Sequence, residues 1–406
     1  MIFLYNIGIF LYGLMVRLIA TFNPKAKQFV EGRKHIFKQI AERISNADKH
    51  IWFHFASLGE FEQGRPVLEK IKAEYPGKKI IVTFFSPSGY QVRKNYALAT
   101  GVFYLPLDTR SNAEKFIEAI NPELAIFTKY EFWHHYFKAL SAKDIPLFLI
   151  SGIFRPDQIF FKFYGGFNRN ILRQVNWFFV QNQESVDLLK SLDITQVSIA
   201  GDTRFDRVAE NAAKPAALPL VQAFAEGSKV FIAGSTWPAD ESMIKTLDAE
   251  IPDWKIILAP HEIAADHLKQ IERLFPTAIR YSNLNGENAR ASRILLIDNI
   301  GMLSSLYQYA RVAYIGGGFG VGIHNTLEAA AFGLPVIFGP NYRKFQEAHD
   351  LLKLGAAKSI EDEQSLITAF QLLKNNQKAA QLAQEYVAQQ KGATASIYDK
   401  IRKYLN

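Results

Sequence analysis

From residue 50 onward, short apolar runs alternate with longer segments in which apolar residues recur every three or four positions. The runs at 51–56, 79–85, 101–104, 124–128, 146–150, 177–180 and 197–200 read as buried strands. Segments such as 64–75 and 110–120 carry helical periodicity between them. A second series of strand-like runs follows at 229–233, 255–259, 278–281, 294–297, 312–315 and 336–338. Such alternation predicts parallel sheets with helices on both faces. The Ala- and Pro-rich stretch 211–219 separates the two series and reads as a linker. The pattern thus predicts two doubly wound α/β domains, 23–210 and 220–406, each with its ligands at the carboxyl ends of its strands. The last helical stretch, 378–405, fits either domain.

The first 22 residues break this pattern. Residues 1–16 carry no charged side chain, and 18–22 stay apolar after Arg17. At about 1.5 Å per residue such a helix could barely reach across a bilayer core of about 30 Å. Arg17 and two glycines weaken the case for a full span. No basic stretch precedes the apolar run and no clear small-x-small cleavage site follows it, so a signal peptide is a poor fit. Lys25, Lys27, Arg33, Lys34 and Lys38 come directly afterwards, as expected for a membrane-held segment with a cytoplasmic basic flank. The expectation is a membrane-associated helix at residues 1–22, monotopic in preference to spanning. A buried first helix is the alternative.

Composition narrows the partners. There is no cysteine among the 406 residues, which excludes disulfides and thiolate chemistry. The formal charge of +8 favours anionic partners. The basic residues are scattered and not clustered in a run, which argues against nucleic acid.

Residues 311–340 carry the densest signal. A strand at 312–315 leads into Gly316, Gly317, Gly318, Gly320 and Gly322, and His324-Asn325-Thr326 opens a Leu-, Ala- and Glu-rich run that predicts a helix. Unpaired N–H groups at such a helix start favour a phosphate, and glycines permit close backbone approach. The dinucleotide fingerprint G-x-G-x-x-G has no register here, and the P-loop motif is absent throughout.

Candidate acids and bases lie at strand ends. Glu60, in Ser57-Leu58-Gly59-Glu60, falls in the first turn of a helix, where an acid either complements the helix dipole or serves as a general base. Glu131 follows the fourth run, beside Phe132 and Trp133; two carboxylates at the tops of different strands are more suggestive together than apart. The adjacent pair His134 and His135 cannot share one helix face, so a metal site is not expected there. Arg204, in Gly201-Asp202-Thr203-Arg204-Phe205-Asp206, could reach an anion or be an ordinary surface arginine. The hydroxyls and N–H groups of Ser235-Thr236 could hold a carboxylate or phosphate, and His261 after Pro260 is either a cap or a ligand contact. Arg155, Lys162, Arg169 and Arg173 interleave with Phe160, Phe161, Phe163, Tyr164, Phe167 and Trp177, a mixture that suits either a lipid-facing surface or a core with solvated charges. No D-x-D triplet occurs, so helix N-termini and cations would have to offset a leaving phosphate.

Together these elements resemble the 3-deoxy-D-manno-octulosonic acid (Kdo) transferases, lipid A glycosyltransferases with a GT-B fold. The apolar N-terminus, Ser57-Leu58-Gly59-Glu60, Glu131-Phe132-Trp133, residues 201–206, Gly234-Ser235-Thr236 and His324-Asn325-Thr326-Leu327-Glu328 carry the likeness across essentially the whole chain. The resemblance implies two Rossmann-like domains facing a cleft, with the acceptor on the first and the nucleotide sugar on the second. It implies that Glu60 is the proton acceptor, that Glu131 stabilises the transition state, and that Arg204 does so where the family usually has lysine. It places cytidine monophosphate (CMP) on Asn325, Thr326, Leu327 and Glu328, on Ser235 and Thr236, on Pro260 and His261, and on Ile300, Gly301 and Met302. In two of these segments the chain departs from the family: His261 replaces the usual arginine, and Met302 replaces the usual glutamate. The implied reaction moves Kdo from CMP-Kdo to a lipid A precursor of the lipid IVA type, inverting, without metal or other cofactor, at the cytoplasmic face of a bacterial inner membrane. The competing readings are a GT-B transferase or epimerase using a UDP-sugar, a non-catalytic membrane adaptor and, least supported, a dehydrogenase.

Overall fold

A computed structural model describes residues 1–405. The chain forms two compact units, Met1–Asp206 with residues 392–405, and Arg207–Lys391. The boundary falls at Asp206/Arg207, inside the helix Thr203–Ala213 and upstream of the Ala- and Pro-rich stretch.

The first unit holds seven strands: β1 (His50–Phe55), β2 (Lys79–Phe84), β3 (Gly101–Tyr104), β4 (Pro122–Thr128), β5 (Leu147–Gly152), β6 (Trp177–Val180) and β7 (Val197–Ile199). Their order is β3-β2-β1-β4-β5-β6-β7, all parallel. The order reverses between β1 and β4, which opens a crevice at the carboxyl ends of those strands. Strand β1 shows why the run is apolar throughout. Trp52 packs into one buried cluster with Phe116, Phe127 and Tyr136, while Ile51, Phe53 and Phe55 pack into another with Val67, Leu68 and Ile71. Alternate side chains thus enter opposite cores, and both faces are covered.

The helix Ala393–Ile401 belongs to this unit, where Ile397 and Ile401 join the second cluster. Asp206 accepts the amides of Gly392 and Thr394, so its carboxylate satisfies donors that a helix start leaves open.

The second unit holds β8 (Lys229–Thr236), β9 (Trp254–Pro260), β10 (Ala278–Arg280), β11 (Ile294–Leu296), β12 (Val312–Ile315), β13 (Val336–Phe338) and β14 (Ala357–Ser359). The order is β10-β11-β9-β8-β12-β13-β14, again parallel, with its reversal between β8 and β12. Strand β14 has no counterpart in the apolar pattern, since Ala357-Lys358-Ser359 carries no run to detect. The helix after the glycine loop is a single short turn and a half, Leu327–Ala331, because Gly333 ends it.

The N-terminal helix Ile2–Ile19 leaves Phe3, Leu4, Phe10, Leu11, Met15 and Leu18 exposed. Its polar edge is tied to the first unit. Tyr5 donates to Asp108, and Asn6 bonds His135 at 2.7 Å. Tyr12 stacks on Phe85, and a Cβ on Gly13 would lie 2.9 Å from Leu107. The basic flank is divided. Lys25, Lys27, Lys34 and Lys38 are exposed. Arg33 instead turns inward, lies 3.5 Å over the Phe29 ring, and donates to the carbonyls of Phe29, Leu105 and Phe85. It is a structural clamp and no part of a membrane-facing row.

The aromatic–basic stretch also divides. Phe160 is buried and Arg169 caps the carbonyls of Phe160 and Lys162, while Phe163 and Tyr164 are exposed.

Candidate active site

Glu60 and Glu131 sit on either side of the order reversal in the first sheet, after β1 and β4 respectively. Ser57 is the N-cap of the helix Leu58–Glu74 and accepts from the Gly59 amide. Its hydroxyl donates to one oxygen of Glu60, so the Ser-x-Gly-Glu spacing aims the carboxylate from within the first helical turn. Glu131 is more enclosed, with 14% of its side chain accessible. Its Oε2 accepts from His54 Nε2 at 3.0 Å and from Trp133 Nε1 at 2.9 Å. His54 Nδ1 meets the Thr83 hydroxyl at 2.8 Å, and that hydroxyl also accepts from Trp52 Nε1. A neutral His54 that donates to Glu131 through Nε2 accepts from Thr83 through Nδ1, which fixes its tautomer. The chain bends sharply just before Glu131: Lys129, at the end of β4, has a left-handed φ of 59°.

Arg204 follows β7. Its Nε and Nη2 fork onto Asp202 at 2.9 and 2.8 Å. Asp202 is nearly inaccessible and is held in turn by the Gln63 amide. The pairing fixes the guanidinium's orientation.

The donor-side candidates gather at the carboxyl ends of neighbouring strands in the second sheet. Ser235 and Thr236 end β8, Pro260 ends β9, and Gly301 with Met302 follows β11. Residues 325–328 follow the glycine loop that leaves β12. Within this group the side chains divide. The Thr236 hydroxyl is buried and donates to Glu241, so it is committed to the fold. Thr326 and Leu327 are fully buried, backbone included, and Ile300 is exposed. Asn325 bonds Glu328 through its amide and accepts from the Leu327 N–H. Burial pushes the Glu328 carboxyl up, while the Asn325 bond and the Arg207 charge pull it down.

Asp240 organises the loop. Its carboxylate accepts from Trp237 N and Gly317 N, both at 2.9 Å, and from Tyr314 Oη at 2.6 Å. The glycines serve chain-to-chain packing as well as any ligand. A Cβ on Gly316 would lie 2.3 Å from the Ser235 carbonyl, and one on Gly318 would lie 2.6 Å from Gly339 Cα. A recess of ≈240 Å³ beside the loop is lined by Trp237, Pro238, Asp240, Gly317 and Phe319 among others.

Sequence reading missed His54 and Asp240 as parts of these two sites; it placed Trp237 and His324 in the donor-side segments without a role for either ring. A signal existed only for Asp240: Pro238 at the first helical position with Asp240 two residues on marks a helix start. Among the described residues no group of three or more His, Asp or Glu could hold a metal ion.

With this geometry in view, residues 31–207 match the family model described as 3-deoxy-D-manno-octulosonic-acid transferase (kdotransferase). The chain is a glycosyltransferase that is similar to the Kdo transferases over most of its length. The 3-deoxy-D-manno-octulosonic acid transferase of Aquifex aeolicus is 26% identical over 380 residues, covering 90% of this chain and 96% of that protein. The transferase of the same description from Chlamydia pneumoniae is 28% identical over 370 residues, covering 84% and 82%. In architecture the protein is similar to the UDP-GlcNAc 2-epimerase of Neisseria meningitidis, with a TM-score of 0.61 at 16% identity over 87% of this chain and all of that one. That likeness places the protein in the GT-B fold.

Proposed function

We propose that this protein transfers Kdo from CMP-Kdo to a hydroxyl of a lipid A precursor of the lipid IVA type, inverting and without metal, at the cytoplasmic face of the inner membrane. Likeness to the Kdo transferases supports the donor sugar. The observation that carries the acceptor lies in the first unit. The exposed apolar helix reaches the candidate acid through an aromatic chain: Tyr12 stacks on Phe85, Phe85 packs on Trp133 at 4.8 Å, and Trp133 donates to Glu131. A surface suited to lipid and a carboxylate suited to chemistry are therefore one construction. Beside the helix runs a groove of ≈750 Å³, lined by Val16, Phe29, Phe37 and Leu107 with Arg17 and Lys38, which matches an acyl chain below an anionic headgroup.

In this reading Glu60 accepts the proton of the attacking acceptor hydroxyl as its oxygen bonds the anomeric carbon of Kdo. The bond from that carbon to the CMP phosphate oxygen breaks, and CMP leaves with the electron pair. Glu131 stabilises the oxocarbenium character that develops, and Arg204 offsets charge on the departing phosphate. Ser235, His261, Gly301, Met302 and residues 325–328 hold the nucleotide.

The test is incubation of the purified full chain with CMP-Kdo and a tetraacylated lipid A precursor, with product mass recorded. A Kdo-bearing lipid supports the reading. No transfer from CMP-Kdo, with transfer from a UDP-sugar, would replace it with the UDP-sugar alternative.

A further inference from the structure

Three rings from three separate loops meet in the second unit. Trp237 follows β8, His261 follows β9, and His324 closes the glycine loop after β12. His261 stacks on Trp237 with centroids 4.9 Å apart at 26°, and on His324 at 4.3 Å and 23°. Trp237 Nε1 lies 3.2 Å from His324 Nε2 in a hydrogen bond. An indole N–H only donates, so His324 Nε2 must present its lone pair. An imidazolium would carry a proton on that nitrogen, directed at the indole hydrogen. His324 is thereby restricted to the neutral form with its proton on Nδ1. Its amide is fixed as well, donating to the Gly316 carbonyl, and the amide of His261 donates to the Thr236 carbonyl.

We infer that Trp237 is a positioning residue for donor binding: it locks His324 as a neutral Nδ1–H donor to the phosphate of the nucleotide, on a platform completed by His261. The phosphate part of this inference rests on the function proposed above; the tautomer does not. The surrounding ionisable groups leave this state undisturbed. Asp240 is occupied by Trp237 N, Gly317 N and Tyr314, Glu241 by Thr236 and His267, and Glu328 by Asn325. Burial drives the His324 pKa down to about 4, and the neighbouring His261 ring, the ionisable group in direct contact, adds to it. A neutral donor keeps its grip on a phosphate constant across the physiological pH range, which a titrating imidazole would not.

The test joins a spectroscopic signature to binding. Imidazole nitrogen shifts of the ¹⁵N-histidine-labelled full chain, assigned with His324→Asn, are expected to show His324 as the Nδ1–H tautomer at neutral pH. Trp237→Phe keeps a ring and removes the N–H. It is expected to mix the tautomers and raise the dissociation constant for CMP about three- to tenfold. If CMP-Kdo turns over, its KM rises by a similar factor with kcat within about twofold. His324→Asn, which retains an N–H donor, is expected to bind CMP nearly as wild type does, whereas His324→Leu weakens it as Trp237→Phe does. A protonated or Nε2–H His324 in the wild type would overturn the inference whatever the donor is. So would unchanged CMP affinity in Trp237→Phe, or an Asn variant as weak as the Leu variant. Normal tautomer results with no CMP binding by the wild type would instead sink the nucleotide reading and, with it, the phosphate role.

Discussion

Replacing Asp240 tests how the glycine loop is held. The carboxylate is almost wholly inaccessible and accepts from three donors: Trp237 N, Gly317 N and Tyr314 Oη. Asp240→Ala leaves all three without a partner in a site that water reaches poorly. A buried orphan donor costs roughly 1–3 kcal/mol. The three share one acceptor and are not additive, so the expected loss is about 3–5 kcal/mol. Asp240→Asn is a sharper control. Its oxygen can take both amides, and its NH₂ can face Tyr314, whose hydroxyl turns to accept. The expected cost is then only about 1 kcal/mol. Hydrogen exchange at the Gly317 and Trp237 amides measures this directly in the full chain, because local opening is read as free energy. The Ala variant should exchange at these two amides about 100- to 3,000-fold faster, and the Asn variant less than about tenfold faster. Equal effects from the two substitutions would refute the reasoning, as would wild-type protection of Gly317 in the Ala variant.

Other outcomes follow from the same geometry. Glu60→Gln should keep the melting temperature and CMP affinity while transfer is lost; near-normal turnover would remove Glu60 as the base. Gly316→Ala drives a methyl group to 2.3 Å from the Ser235 carbonyl and should cost about 1–3 kcal/mol, whereas Gly286→Ala meets nothing within 4 Å and should leave the melting temperature unchanged. Replacing exposed Phe3 and Phe10 together with Ser should weaken flotation with anionic vesicles by about 100- to 10,000-fold without altering the fold, each ring contributing about 1.5–3 kcal/mol to burial. Burial holds the His324 pKa near 4, below the ordinary 6.5. The folded state thus prefers the neutral ring, and the stability this contributes is complete above about pH 6.5 and lost as pH falls toward 4. Melting curves of His324→Asn between those limits should show a flatter pH dependence than the wild type.

Much of this protein was determined by the sequence taken alone. Among the described residues, thirteen of the fourteen strands coincide with apolar runs, most clearly the central ones, where a strand covered on both faces needs apolar side chains at every position. Ser57 with Glu60 three residues on marks a helix start, and the uncharged stretch 1–16 marks an apolar helix. These signals are local: a period, a cap, a breaker. Tertiary structure alone decided what each polar group does. Arg33 belongs by sequence to a basic flank, yet it is clamped among carbonyls as far away as Leu105. The Thr236 hydroxyl reads as a ligand contact and is taken by Glu241. Glycines read as making room for a ligand also make room for the backbones of Ser235 and Gly339. His54 and Glu131 are 77 positions apart, and Trp237 and His324 are 87 apart. No local pattern encodes such pairs; they exist because parallel strands bring loops distant in sequence to one edge of a sheet, and each buried donor must then find its acceptor there.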